Sequence, residues 1–188
     1  MHPSLLEFPD SFDTERLTIR APRFGDGAEL NVAIRESFAE LKAWMPWAHL
    51  LSTPPTPEDS EANIRKAVAE FLTRQDLRLL LFLKGTGTLV GSSGLHRINW
   101  DVPSFEIGYW MRTPYSGRGL MTEAVRGIAT FARDVLKAKR VEIRMADANQ
   151  RSWQVAERAG FSLEATLRQD RRLPSGALDH TRIYAKTF

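Results

Sequence analysis

An amphipathic helical pattern preceded by two glycines is the strongest constraint on how this chain folds. Apolar residues recur every three to four positions from Leu120 to Val135, which predicts one long helix with an apolar face. The turn before it reads Ser116-Gly117-Arg118-Gly119 and follows a predicted strand. Glycines at such a turn let backbone amides converge at the positive end of a helix, where anions bind. The same residues also suit a tight turn with an exposed arginine, so both interpretations stay open.

The order of the other patterns predicts an α+β fold built around a mixed sheet. Strand patterns cover Arg16–Pro22, Leu77–Lys84, Leu89–Trp100, Ser104–Arg112, Arg140–Asp147 and a final pair around the turn Pro174–Gly176. Helical patterns cover Asp26–Trp44, Thr56–Leu72, Leu120–Val135 and Asn149–Gly160, and the proline-rich stretch Trp44–Pro57 is expected to be a loop. A chain of 188 residues without a linker or repeat suits one domain, residues 1–188. We therefore expect about seven mostly antiparallel strands and about four helices.

Composition excludes several kinds of site. The chain has no cysteine, which rules out disulfides, cysteine metal sites and a cysteine acyl-enzyme. Its 4 histidines are not at metal-ligand spacing, so no metal is expected. No apolar run reaches membrane-spanning length and the first residues do not read as a secretory signal, so we expect a cytoplasmic protein. The dispersed net charge of +3 favours an anionic ligand only mildly and does not predict a nucleic-acid partner.

Two ordered motifs resemble a known enzyme family. They are "YSGRGLMTEA" and, about thirty residues later, "NQRSWQVAERAGF", and "TERLTIRAP", "LKAWMPW", "FEIGYWM" and "RLPSGALDHTRIYAK" add to them. Together they resemble the GNAT acetyltransferase superfamily, and more narrowly its RimJ/RimL-type members, which acetylate the N-termini of ribosomal proteins. The resemblance implies a central sheet that is splayed in the middle and an enzyme that uses acetyl-CoA without a metal.

The resemblance also implies the type of reaction. The acetyl group would pass directly to a primary amine while both substrates are bound, and a protein or peptide N-terminus is the first expectation for the acceptor. A small-molecule amine is the first alternative, and a non-catalytic acyl-CoA-binding regulatory module is the second. Members of this family often form homodimers, and no interface is evident in the sequence.

The family pattern for the pyrophosphate loop is Gln/Arg-x-x-Gly-x-Gly/Ala, and here it falls on Ser116 to Met121. Gly119 matches the pattern, whereas Ser116 and Met121 depart from it and remove one expected side-chain contact. The resemblance implies that the cofactor contacts the backbone amides of Gly117, Arg118, Gly119, Leu120 and Met121, the strand residues Tyr109, Trp110 and Met111, and the helix residues Asn149 and Ser152.

Two residues are the candidates for proton transfer. Glu106 alternates with Phe105 and Ile107 on a strand that we expect to be central, where partial burial would raise the pKa of a carboxyl and suit it as a base. A salt-bridged strand glutamate is the alternative interpretation. Many family members use a tyrosine as the acid at the position that Ala156 occupies here, so the resemblance favours Ser152. Asn149 and Ser152 would also suit simple helix capping.

The acceptor side is the least specified part of the site. Trp44 and Trp47 fall in the aromatic stretch and are expected to line the acceptor pocket, and His96 lies on a strand that would border it. The two tryptophans would equally suit a role in the core, and His96 would suit an ordinary hydrogen-bonded position. The sequence does not decide between these interpretations.

Overall fold

The structure, a computed structural model, describes residues 2–188 and contains one eight-stranded sheet. The strands are β1 (Ser11–Asp13), β2 (Leu17–Arg20), β3 (Leu77–Leu83), β4 (Leu89–Asn99), β5 (Ser104–Met111), β6 (Arg140–Ala146), β7 (Ser162–Arg172) and β8 (Leu178–Thr187). The helices are α1 (Gly27–Glu36), α2 (Phe38–Trp44), α3 (Pro46–His49), α4 (Pro57–Leu72), α5 (Leu120–Asp134) and α6 (Gln150–Arg158), with short 3-10 turns at Pro3–Leu5 and Thr113–Tyr115.

The sheet is antiparallel except at one place near its middle. Its order is β1-β2-β3-β4-β5-β6-β8-β7, and only β5 and β6 run parallel. These two strands pair only over Ser104–Glu106 and Arg140–Glu142 and then separate. Parallel neighbours need a crossover, and α5 supplies it. The predicted fold class and the predicted splay between these strands are both confirmed.

Separate apolar clusters cover the two faces of the sheet. The larger cluster packs β2 to β6 against α5 and α6, with Phe105, Ile107, Ile128 and Ala156 nearly inaccessible to solvent. The smaller cluster lies on the opposite face and joins α1 to α4 with β3 and β4, through residues such as Leu30, Leu41, Ala48, Ile64 and Leu80. We call these the α5–α6 face and the α1–α4 face. Alternation along β5 sends Phe105 and Ile107 to the first and Glu106 and Trp110 to the second.

Several helix ends follow directly from local sequence. The Thr56 hydroxyl accepts a hydrogen bond from the Asp59 amide, and the Asp59 carboxylate accepts one from the Thr56 amide, which together form a capping box at the start of α4. Gly160 follows α6 with φ +83°, a left-handed conformation that glycine adopts without strain. These boundaries agree with the sequence because each depends on residues only a few positions apart.

The number of elements differs from the sequence prediction. An additional strand, β1, pairs with β2 at one edge of the sheet, which raises the count to eight. The helix predicted over Asp26–Trp44 is divided at Ser37, whose buried hydroxyl accepts the backbone amide of Thr113. The expected loop after Trp44 contains the short helix α3, which starts at Pro46 because proline suits the first helical position.

Candidate active site

The candidate site lies where β5 and β6 separate. Among the residues described, no strand pairs with the β6-facing edge of β5 from Ile107 to Met111. The predicted contact residues Tyr109, Trp110 and Met111 therefore lie along a backbone edge whose polar groups are free to bind another extended chain. This gap opens next to Glu106, the last residue of β5 that pairs with β6.

The glycine loop before α5 has the conformation that an anion cradle needs. Gly117 and Gly119 have φ of +77° and +76°, and a Cβ added at Gly117 would meet no atom within 4 Å. Gly119 is the N-cap of α5, and no side chain caps that helix end. The first amides of α5 are therefore available to an external anion at the positive end of the helix dipole. The free strand edge and these free amides fit a ligand that carries both an extended arm and a pyrophosphate.

An ion pair from the other end of the chain holds this loop in place. The Arg16 Nη1 donates to the Arg118 carbonyl at 3.0 Å, and its Nε donates to the Glu123 carboxylate at 2.6 Å. The same carboxylate accepts the Thr14 hydroxyl and the Arg16 amide at 2.6 and 2.7 Å. Burial opposes ionisation of Glu123, but these hydrogen bonds dominate and lower the pKa of its carboxyl. The predicted loop residue Arg118 is exposed, with its guanidinium over the ring of Tyr115.

Asn149 and Ser152 lie at the start of α6, on the α5–α6 face. The Asn149 side chain accepts the Ser152 amide at 3.2 Å and so caps the helix. The Ser152 hydroxyl lies 3.2 Å from the Tyr109 hydroxyl, which in turn donates to the Ser152 carbonyl at 2.8 Å. Burial raises the pKa of Tyr109, so this hydroxyl stays protonated at neutral pH. The sequence placed Tyr109 beside the cofactor but gave no signal for its bond to Ser152.

Glu106 points into the α1–α4 face with only 16% of its side chain exposed. Burial raises the pKa of its carboxyl and the nearby Glu142 adds to this, although the charges of Arg97, Arg144 and His96 oppose it. The Arg97 Nε forms a salt bridge with the Glu106 Oε2 at 3.3 Å, as the alternative interpretation expected, but its geometry does not make a hydrogen bond. Oε2 is thus a buried oxygen with no hydrogen-bond partner among the residues described. Such an atom is rare in folded proteins and suits a group that receives a proton.

His96 lies beside Glu106 on the neighbouring strand. The two residues are directly opposite each other in the β4–β5 pair. The His96 Nδ1 is 2.6 Å from the Asp76 Oδ2, and Asp76 stands in the segment between α4 and β3. His96 is therefore hydrogen-bonded, as the alternative interpretation expected. It also lies on the α1–α4 face, where the acceptor is expected to bind.

The two tryptophans flank the junction of α2 and α3. Trp44 ends α2 and Trp47 lies in α3, with 37% and 40% of their surfaces exposed. They are surface residues rather than core residues, so the structure leaves them available to contact an acceptor. Their place in the pocket stays a prediction.

Sequence reasoning missed Asp76 and Arg97, whose side chains lie next to the predicted site residues His96 and Glu106. It also missed the hydrogen bond between Ser152 and Tyr109, a residue that was predicted only as a cofactor contact. Arg97 has φ +45°, an unusual value for a residue other than glycine, and no sequence pattern predicted it. The three contacts became visible only when the sheet brought these residues together.

Two further properties concern residues 2–188 as a whole. No helix in this range has both the length and the hydropathy that a bilayer crossing requires. Over the same residues, no three His, Asp or Glu side chains gather as ligands for a metal ion.

Comparison with known proteins identifies the family and supports the fold. Residues 16–162 match the acetyltransferase (GNAT) domain family. The putative ribosomal N-acetyltransferase YdaF of Bacillus subtilis is 30% identical over 171 residues, which span 90% of each chain.

Two solved structures share the fold at TM-score 0.84. They are RimL, a ribosomal alpha-N-protein acetyltransferase in complex with coenzyme A, and the microcin self-immunity acetyltransferase MccE in complex with acetyl-CoA and AMP. Their identities to this chain are 20% and 23%, over 93% and 96% of it and over 96% and 98% of their own chains. The family match and the relative at 30% identity show that this chain belongs to the GNAT family and is an acetyl-CoA-dependent N-acetyltransferase.

Proposed function

We propose that this enzyme transfers the acetyl group directly to the amine at the N-terminus of a protein or peptide, with both substrates bound together. A ribosomal protein is the first acceptor class to test, because the relative YdaF carries that description and RimL is named as an alpha-N-protein acetyltransferase. The absence of cysteine from the sequence supports direct transfer, since no thiol is available for an acyl-enzyme.

The buried Oε2 of Glu106, which has no hydrogen-bond partner among the residues described, is the observation that carries this proposal. An amine must lose a proton before it attacks a thioester, and a carboxylate with a raised pKa accepts that proton more readily than an ordinary one. Glu106 lies where β5 and β6 part, on the face that also holds His96. It takes the proton either directly or through one water molecule.

Ser152 is the proposed acid for the departing thiolate. Its hydroxyl has one hydrogen-bond partner among the residues described, the Tyr109 hydroxyl at 3.2 Å, and it lies at the N-terminus of α6. A helix N-terminus favours the developing negative charge on sulfur. Asn149 fixes this helix end through the Ser152 amide, so it orients Ser152 whether or not it also contacts the pantetheine arm.

The cradle and the strand edge are proposed to bind the two ends of the cosubstrate. Backbone amides from Gly117 to Met121 face the pyrophosphate, and the edge of Tyr109–Met111 pairs with the amide groups of the arm. Because these contacts use the backbone, the departures at Ser116 and Met121 leave them intact.

The test is acetyl transfer measured against a matched panel of acceptors. The panel holds peptides with a free N-terminus, the same peptides with that amine blocked and one lysine retained, and small primary amines. We expect thiol release and an acetyl group on the α-amine with the first set, and intersecting initial-velocity lines when both substrates are varied. Transfer only to small amines would contradict the peptide acceptor. Acetyl-CoA binding without transfer to any member would favour a regulatory module.

A further inference from the structure

We propose that His96, held by Asp76, carries the acceptor's proton from Glu106 to solvent during each turnover. This inference rests on the proposed function, because it explains how the proposed base, Glu106, loses the proton that it takes from the acceptor and becomes a carboxylate again. His96 acts through Glu106 and is therefore a positioning and proton-carrying residue rather than a group that touches the reacting atoms.

The first argument is the orientation of the imidazole. The Asp76 carboxylate is 2.6 Å from Nδ1, so this nitrogen carries the hydrogen that Asp76 accepts. Nε2 is then the ring atom with a free lone pair, and it has no hydrogen-bond partner among residues 2–188. The side chains of His96 and Asp76 are 30% and 27% exposed, so the ring also reaches solvent.

The second argument is the space that two glycines leave for the ring. A Cβ at Gly108 would lie 3.0 Å from the His96 Cδ2 and 3.2 Å from Nε2. A Cβ at Gly94 would lie 3.0 Å from Cε1. The imidazole thus lies flat on the sheet above both glycines, in a place that any larger residue would partly fill. Gly108 is two positions from Glu106 on the same face, so the ring lies over the position next to Glu106, and no direct hydrogen bond joins Nε2 to that carboxyl among the residues described.

The third argument is a bulge in β4 at this point. His96 pairs with Glu106 and Asn99 pairs with Ser104, so three steps on β4 oppose two on β5. Arg97 occupies the bulge with φ +45°, and its Nε approaches the Glu106 Oε2 at 3.3 Å. Strained backbone of this kind is typical of functional sites. The charged groups around His96 and Glu106 are then Asp76 from the α4–β3 segment, Arg97 from β4, and Glu142 and Arg144 from β6.

The proton balance of the relay is simple. The Glu106 carboxylate takes one proton from the acceptor ammonium, which leaves a neutral amine to attack. Protonated Glu106 passes this proton to Nε2 through one bridging water molecule, which gives a carboxylate and an imidazolium next to Asp76. The imidazolium releases the proton to solvent, and both residues return to their starting states.

The test compares His96→Gln with His180→Gln, in the same transfer assay and with wild type alongside. His180 is a matched control because it is also a strand histidine with a ring hydrogen bond, here from the Gln169 amide at 2.9 Å. We expect His96→Gln to lower kcat about tenfold or more in dilute buffer, with the KM for acetyl-CoA unchanged, and His180→Gln to have little effect. Asp76→Asn should produce a smaller loss of the same kind.

A second readout separates proton transfer from a structural role. In His96→Ala, added imidazole and its methylated derivatives should restore turnover, and the restored rate should rise with the basicity of the added compound. If wild type transfers acetyl groups and His96→Gln has the same kcat, the relay is wrong but the proposed function still stands. Rescue that does not follow basicity would also overturn it. A wild-type protein that transfers acetyl to no amine would overturn the proposed function itself, and the relay with it.

Discussion

The two faces of the sheet differ in how tightly they are built. The α5–α6 face has a long helix, a large buried cluster and a glycine loop locked by Arg16 and Glu123. The α1–α4 face has a smaller cluster, and α2 and α3 are short helices that leave Trp44 and Trp47 partly exposed. The proposed cofactor loop before α5, together with Tyr109 and Ser152, lies on the first face, and the proposed acceptor groups lie on the second.

We infer that the more rigid face suits the cosubstrate, which is the same in every reaction, and that the less rigid face suits an acceptor that varies between enzymes of this family. A cradle of backbone amides requires one conformation, which glycines with positive φ and a buried core provide. The proposed acceptor pocket, if it is walled by short helices and exposed aromatic side chains, is more easily altered without loss of the core. Strand β5 connects the two faces, because it presents Tyr109, the hydrogen-bond partner of the proposed acid Ser152, to one face and the proposed base Glu106 to the other.

The largest expected effect is a loss of kcat when the proposed base on the acceptor face, Glu106, is replaced. Glu106→Gln removes the proposed base and should lower kcat roughly thousandfold, within the range for general base catalysis. Calorimetry should show unchanged acetyl-CoA affinity, because the cradle is on the opposite face. Glu142→Gln is the control, since Glu142 opposes Glu106 across the parallel pair but is bound to Arg140. Equal losses in both variants, or none in the first, would remove Glu106 from the mechanism.

The next effect concerns the proposed acid on the cofactor face. Ser152→Ala should lower kcat roughly hundredfold and leave α6 intact, because Asn149 caps that helix through the Ser152 backbone amide. Turnover should recover partly with a thioester whose leaving group is less basic. Unchanged turnover, with an unchanged melting temperature, would show that Ser152 gives no proton.

A binding effect tests the cradle itself. Gly119→Ala and Gly176→Ala both place a side chain at positive φ, +76° and +86°, so each should cost about 1–2 kcal/mol of stability. Only Gly119→Ala also disturbs the loop before α5, and we expect its Kd for acetyl-CoA to rise roughly tenfold. Titration calorimetry of both variants measures this. Equal affinity in the two would contradict the cradle.

The smallest effect is on stability, and its sign follows from the raised pKa of Glu106. A folded-state pKa above the unfolded value means that the carboxyl favours folding when protonated, and this contribution is lost as pH rises through the folded pKa. Glutamine mimics the protonated form at every pH. The melting temperature of Glu106→Gln should therefore match wild type near pH 4 and exceed it at neutral pH. A variant that is less stable at neutral pH would mean that the contact with Arg97 outweighs burial.

The sequence alone determined what depends on near neighbours along the chain. The capping box at Thr56, the left-handed Gly160 and the alternation that puts Glu106 and Phe105 on opposite faces of β5 each follow from residues close together in the sequence. Such features need only the identity and spacing of a few residues. The motif order also indicated the family, which the comparisons confirm.

The tertiary structure decided what depends on residues far apart in the chain. It brought Asp76 to His96, Tyr109 to Ser152 and Arg16 to the Arg118 carbonyl. It also divided the first predicted helix at Ser37, where a contact with Thr113 replaced helical continuity. These pairings are set by sheet register and packing, because burial and partner choice belong to the whole fold and no local pattern encodes them.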